Sequence, residues 1–449
     1  MWQDIRYAAR SLRKSPGFTA VAVVSLALGI GVNLAIFQFV DAAILKPLPV
    51  SRPGELVSLY HQAANNPDTF TATSYPEYEF YRDQNTVLSG MSAYLRMPMN
   101  TGVGSDARQI SGELVSPDYF SVLGIQLELG RPLTPQDVNA AVISHDFWQQ
   151  RFAGNSNALG QTVHIGAADF TVVGVAPKSF RGVVLDWADP PSVWITATPR
   201  VTAVPALNID IVHEWAMESY LVFGRLRPGV TTQQASAQMA SLTARLREER
   251  HRLENQSAVL FPVQQARFWP SYRSGILTFL GALMTIVGAV LLIGCCNLAS
   301  LLLARATNRR REIAIRLAIG AGRRRIARQL IVEGLLLSAI GSLAAVGVAA
   351  LASDFLTQFH RPFRIRLAIE PTWDWRVFAF AFAVSVATGI FFGIVPLLQT
   401  WRTDVNSDLR TTSATGRAHS GLRKALVVGQ VALSTVLLAG SAMFIRTLA

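Results

Sequence analysis

The chain has 449 residues, a mass of 48.9 kDa, a formal net charge of +12 and a mean hydropathy of +0.30. Half of it is hydrophobic and 16% is charged, against about 25% in a typical soluble domain, which argues against an ordinary cytosolic enzyme and against disorder. Only four of the 41 basic residues are lysine (Lys14, Lys46, Lys178, Lys424) and none follows a glycine, so this chain holds no Walker A loop for nucleotide phosphates.

Residues 1–14 carry Arg6, Arg10, Arg13 and Lys14 and precede a charge-free stretch, Ser15–Val40. That stretch is longer than the apolar core of a signal peptide and no Ala-x-Ala site follows, so it reads as an uncleaved membrane helix. Asn33 and Gln38 within it are candidates for hydrogen bonds to a neighbouring helix.

Segment 41–275 is polar and reads as an α+β globule. Thr162–Ile165 and Phe170–Val175, separated by Gly-Ala-Ala-Asp, predict a hairpin. Ala141–Ile143, Val193–Ile195 and Ser219–Leu226 are further strand candidates. Pro76–Gln84 predicts a helix bearing Tyr78 and Tyr81. Thr231 and Gln234 have the spacing of a capping box. They open a helix whose stripe, Ala235, Met239, Leu242, Leu246 and Leu253, should pack on a sheet. No catalytic constellation is legible. The seven histidines lack i,i+4 pairing, and His213-Glu214 opens like a zinc-protease motif but has Met217 where histidine is needed. His145-Asp146 reads as a surface or structural pair. Cys295 and Cys296, adjacent in an apolar run, form neither a disulfide framework nor a metal set.

Four more charge-free stretches follow: Ser274–Ala304, Gly334–Ser353, Val377–Trp401 and Ala425–Ile445. The fourth span contains Gly389 and Gly393, a spacing that permits close helix packing within or between subunits. The fold class is therefore a membrane protein: an α-helical transmembrane bundle with a large extracytoplasmic α+β domain inserted between its first and second helices.

Charge sets the orientation. Loop 305–330 carries nine arginines against Glu312, and loop 402–424 carries five basic residues against Asp404 and Asp408. With five spans these loops and residues 1–14 share one side, the cytoplasm. Segment 41–275 has 18 basic and 21 acidic residues, net −3, and the remainder is net +15. The excess charge is a topology signal, and nucleic-acid binding is not indicated.

Within loop 305–330, Glu312–Ile319 is helical in pattern, Glu312 precedes Arg316 by four residues, and Gly320 and Gly322 supply a stop. Three readings stand: topogenic charge, anionic-lipid binding, and a short helix that docks on a cytoplasmic partner.

The run Arg310–Ala321 resembles the signature after the second membrane helix of FtsX-like ABC-transporter permeases. Val115–Gly124 (VSPDYFSVLG), Leu129–Pro132 (LGRP), Phe147–Phe152 (FWQQRF) and Thr171–Pro177 (TVVGVAP) resemble pieces of MacB-like periplasmic core domains. Asp4–Thr19 resembles the start of relatives with duplicated halves. The resemblance implies an outer domain of two lobes, one formed by 41–110 with 215–275 and the other an insertion, 111–214. It implies a permease domain, 276–401, whose coupling helix docks on a separate cytoplasmic ABC ATPase. That role falls on Arg310, Glu312, Ile313, Arg316, Leu317, Gly320 and Arg323. ATP hydrolysis is then expected on the partner, with no cofactor here. The resemblance further implies the bacterial inner (plasma) membrane, export by mechanotransmission, a second permease unit and a periplasmic adaptor. The alternative is non-transport signalling to an extracytoplasmic enzyme such as a cell-wall hydrolase. A fifth span, 425–449 after loop 402–424, departs from the four-helix pattern and suggests the opening of a second repeat.

Overall fold

The computed structural model describes residues 2–448 except 103–106, 185–188, 198–209, 251–252, 254, 319–322, 359–372 and 401–419. The chain divides into two compact units. The first comprises Met1–Ala42, Thr278–Pro362 and Glu370–Ala449; the second comprises Ala43–Leu277 and Phe363–Ile369.

The first unit is helical: α1 (Trp2–Arg13) and α2 (Pro16–Val40) come before the second unit in sequence. Pro16 explains the break between them, because its ring disfavours helical geometry at Ser15 and suits the first turn of α2. In the second unit the helices are α3 (Tyr75–Gln84), α4 (Tyr119–Leu123), α5 (His145–Phe152) and α6 (Thr232–Arg250). The remaining helices are α7 (Pro270–Ala318), α8 (Arg323–Gln358), α9 (Trp375–Thr400) and α10 (Ser420–Leu448).

Among the described residues, three helical segments are long and apolar enough to cross a membrane: Pro16–Leu45, Pro270–Leu301 and Ala327–Ser353. Two shorter apolar segments, Trp375–Phe391 and Val427–Gly440, lie in α9 and α10. Three of the five expected spans meet this criterion among the described residues, and the other two overlap α9 and α10.

Eleven strands build the second unit: β1 (Leu56–Ala63), β2 (Asn66–Thr71), β3 (Leu88–Thr101), β4 (Arg108–Val115), β5 (Leu129–Gly130), β6 (Ala140–Ile143), β7 (Thr162–Ile165), β8 (Ala168–Val175), β9 (Val193–Thr196), β10 (Leu221–Leu226) and β11 (Gln256–Pro262). They join in one sheet of order β11-β1-β10-β3-β4-β9-β6-β8-β5. The expected hairpin is β7–β8, with Ile165 opposite Ala168.

The long β3 serves two sets of partners, end to end. Leu88–Tyr94 pairs with β10, and Tyr94–Thr101 pairs with β4. Beyond Tyr94 the hydrogen-bonded order closes on itself, β3–β4–β9–β6–β8–β7–β3, the last step being the bridge of Thr101 to Ile165. Two cores line the sheet. One packs Tyr78, Tyr81, Met239 and Leu242 from α3 and α6 against Val57, Leu59 and Ala93. The other packs Tyr119, Phe120 and Leu123 of α4 against Leu56, Tyr94, Trp194 and Phe223. Neighbours in sequence enter opposite cores, as strand alternation requires.

α6 has its capping box: the Thr231 N–H donates to Gln234 Oε1 (2.9 Å) and the Gln234 N–H to Thr231 Oγ1 (3.2 Å). Ala235, Met239, Leu242 and Leu246 are buried. Leu253 departs from the expected stripe: α6 ends at Arg250, and Leu253 is buried from a left-handed turn at φ 59°. Ser236 and Thr243 of α6 accept the Leu260 and Ala258 N–H groups of β11 (3.0 and 3.2 Å), which closes that sheet edge to other strands.

Candidate transmission site

Two buried polar features cross-link the second unit. At the β3–β4 crossing, Arg96 stands opposite Glu113 in register. The guanidinium donates twice to Glu113 Oε1, from Nε at 2.9 Å and Nη2 at 2.6 Å. Glu113 Oε2 accepts from the Tyr119 hydroxyl (2.9 Å) and from Trp194 Nε1 (2.7 Å). The Arg96 and Glu113 side chains are 3% and 0% exposed. Burial, reinforced by the Glu113 charge, pushes the Tyr119 phenol well above its ordinary value, so it stays protonated and donates.

The second feature is Arg225, on β10 and largely buried. Its guanidinium donates to the carbonyls of Ser51 (2.8 Å), Val122 (3.1 Å), Leu123 (3.2 Å) and Arg52 (3.3 Å), and pairs with Glu55 (3.3 Å). It ties the connector after α2 to the end of α4. Arg225→Met should cost about 2 kcal/mol, because several carbonyls lose a charged donor at once. Urea unfolding of the purified chain measures this.

The ends of the second unit are joined to each other. Ten residues, 46–55, separate the apolar helix from β1, and seven, 263–269, separate β11 from α7. β1 and β11 pair antiparallel from Val57↔Pro262 to Ala63↔Gln256. Arg267 donates to the Lys46 carbonyl (2.9 Å), Val263 N–H to the Leu56 carbonyl (2.9 Å), and the Ser271 hydroxyl to the Asp68 carbonyl (2.6 Å). Burial pulls the Arg267 guanidinium down to about 10. Tyr60 meets Trp269 edge to face at 5.3 Å. The segments that leave the first apolar helix and enter the second are thus stitched together.

In the helical unit, α2 sits against α8. A Cβ at Gly31 would lie 2.8 Å from Val348, and one at Gly341 would lie 2.7 Å from Leu26. Asn33 donates to the carbonyl of Val287 on α7 (2.8 Å), and Ser353 on α8 donates to Gln38 (2.8 Å). Asp41, fully buried, pairs with Arg376 at 3.6 Å, and Phe37 stacks on Phe380 at 4.1 Å. Gly389 faces Leu335 and Ser338 of α8, so its close approach is made within the chain. Gly393 lies on α9, but its contacts fall outside the described residues.

The expected docking residues divide between two helices. Arg310, Glu312, Ile313, Arg316 and Leu317 occupy the last turns of α7, and Arg323 is the first residue of α8. Gly320 lies outside the described residues. The short, separate helix expected here is instead the continuation of the second apolar helix. At about 1.5 Å per residue, the 49 residues of α7 extend ~70 Å, more than twice the ~30 Å hydrocarbon core.

Sequence reasoning missed Arg96–Glu113, Arg225 and Asp41–Arg376, all pairings between distant residues. The histidine readings resolve as pairs. His145 contacts Glu128 (2.8 Å) rather than Asp146, which pairs with Arg181 (3.1 Å), and His213 contacts Asp210 (2.8 Å). Among the described residues no group of three or more His, Cys, Asp or Glu could hold a metal. A cleft of about 540 Å³ lies among Met97, Ile110, His145, Lys178, Phe180 and Arg181. Its Arg181 and Arg96 are each paired with an acid, so it is polar without a strong charge of either sign.

Known proteins resemble this chain in sequence. The MacB-like periplasmic core domain matches residues 19–242, and the FtsX-like permease C-terminal domain matches residues 274–405. The syringafactin export ATP-binding/permease protein SyfD of Pseudomonas syringae pv. tomato is 26% identical over 72% of this chain and 45% of its own length. The macrolide export ATP-binding/permease protein MacB of Neisseria gonorrhoeae is 27% identical over 63% of this chain and 40% of its own. The chain therefore spans less than half the length of these curated relatives. The solved periplasmic region of MacB from Actinobacillus actinomycetemcomitans is 15% identical, covering 49% of this chain and 92% of that one at a TM-score of 0.34. With both domains present in order, the chain belongs to the ABC-transporter permeases that combine a MacB-like periplasmic core domain with an FtsX-like permease domain.

Proposed function

We propose that this chain is the membrane subunit through which a separate cytoplasmic ATPase moves an extracytoplasmic domain, in export from the bacterial inner membrane. One observation carries the reading: α7 runs unbroken from Pro270, with seven residues between it and β11, to the arginine-rich stretch ending at Ala318. A helix is stiff over this length, so displacement at one end reaches the other. The β1–β11 pair and the Arg267–Lys46 bond join that helix to the connector from α2, so the two apolar helices act on one body.

Docking of the ATPase falls to Arg310, Glu312, Ile313, Arg316, Leu317, Gly320 and Arg323. The chain supplies no Walker A loop, so ATP is hydrolysed on the partner. Five spans, a cytoplasmic N-terminus and a second permease unit complete the assembly. The test is reconstitution. The purified chain in proteoliposomes should hydrolyse no ATP alone, and should acquire ATP-driven export when the cognate ATPase is added. ATP hydrolysis by the chain alone, or an ATPase indifferent to its presence, would sink the proposal.

A further inference from the structure

α1 divides its residues by face. Ala8, Ser11 and Leu12 are buried, and their side of the helix is fastened to α8: Asp4 pairs with Arg328 at 2.9 Å and the Ser11 hydroxyl donates to Glu333 at 2.8 Å. Arg6, Arg10, Arg13 and Lys14 are exposed. The three arginines recur at i, i+4 and i+7, which places them on one stripe. Asp4 is the single acid of α1, and its side chain is only 12% exposed, so no carboxylate of α1 neutralises the cationic stripe. Arg325 is also exposed at the start of α8. Two residues after Lys14, Pro16 opens the apolar helix.

We propose that the exposed face of α1 is a docking surface for anionic phospholipid headgroups, at the membrane surface where α2 enters. The inference rests on α2 crossing the membrane, and otherwise goes beyond the transmission reading. Holding a helix in the membrane fixes only that positive charges be near its end. It does not require them on one stripe, nor the lone acid withdrawn to the opposite face. A basic amphipathic helix beside a span has the geometry and charge to lie along headgroups. Because α1 is bonded to α8 through Arg328 and Glu333, headgroups that hold α1 also steady the first turns of α8, immediately after the proposed docking stretch.

The test is amide hydrogen exchange on the full chain in nanodiscs of phosphatidylcholine alone and in nanodiscs containing phosphatidylglycerol. In the anionic discs residues 2–13 should exchange about fivefold more slowly, the effect of roughly one headgroup-bound charge. High salt should abolish the difference, and so should Arg6→Gln/Arg10→Gln/Arg13→Gln. Arg6→Lys/Arg10→Lys/Arg13→Lys should retain it, which separates charge from folding. Unchanged exchange of α8 beyond Glu333 in all variants shows that the helical unit remains folded. Equal exchange of α1 in the two lipids, an anionic-lipid effect that survives the glutamine variant, or loss of the effect in the lysine variant overturns the proposal. So does slowing that appears only when the ATPase is added, which would make an acidic protein surface the partner.

Discussion

The variant Ile313→Asp/Arg316→Asp/Leu317→Asp should lose its cognate ATPase while still entering the membrane. Positions 313, 316 and 317 lie on the last turns of α7, spaced i, i+3 and i+4, so they share a face. Two are large aliphatic residues and one is an arginine, a composition suited to a compact interface centre. An arginine at an interface centre can contribute about 2 kcal/mol or more, and carboxylates placed in an apolar contact add a desolvation cost, so the triple replacement should weaken association at least ~100-fold. Eight arginines remain between residues 305 and 330, which preserves the charge bias that orients the loop. Co-purification from membranes measures the association, and protease accessibility of the outer domain verifies insertion. Undiminished co-purification would remove the docking role from this face.

The second large effect is expected from Arg96→Met. The substitution leaves the Glu113 carboxyl fully buried and without its opposing charge, a situation that costs about 3–5 kcal/mol. The side chains of Tyr119 and Trp194 would still donate to the carboxylate, so the loss should fall short of outright unfolding. Glu113→Leu in the same chain removes the stranded charge and should recover part of the stability, although Tyr119 and Trp194 then lose their acceptor. The damage should concentrate where β3 passes from β10 to β4. Urea unfolding of the full chain, with amide exchange of residues 88–115 as the local readout, distinguishes the single from the double variant. A single variant as stable as the parent would show that the pair does not hold the crossing.

Elements whose signal is local were legible. The β7–β8 hairpin shows turn residues between two β-rich runs, and α6 announces itself through a capping box and helical spacing. β3 was not legible for identifiable reasons. It carries Gly90, Arg96 and Pro98, all of which argue against a central strand. Pro98 is tolerated because pairing with β10 ends at Tyr94, so that part of β3 has β4 on one side only until Thr101. Arg96 reads as a surface residue until its partner 17 positions later is known. α1 was not legible as a packed helix, since the face it buries is small (Ala8, Ser11, Leu12) and its partner lies more than 300 residues away. The proposed docking stretch was recognisable as a motif, but its continuity with α7 was not. A local stop signal at Gly320 says nothing of where the preceding helix began.

The most direct test of transmission is a distance measured during the ATPase cycle. Spin labels at Val138→Cys in the β-rich unit and Leu343→Cys on α8, both exposed positions, report on the two units in the assembled complex. Cys295→Ser and Cys296→Ser remove the native thiols. Transmission through α7 predicts that trapping ATP on the partner shifts this distance in the parent. It predicts no shift in the Ile313→Asp/Arg316→Asp/Leu317→Asp variant. An unchanged distance in a parent complex that still exports its substrate, or the same shift in the variant, would contradict it.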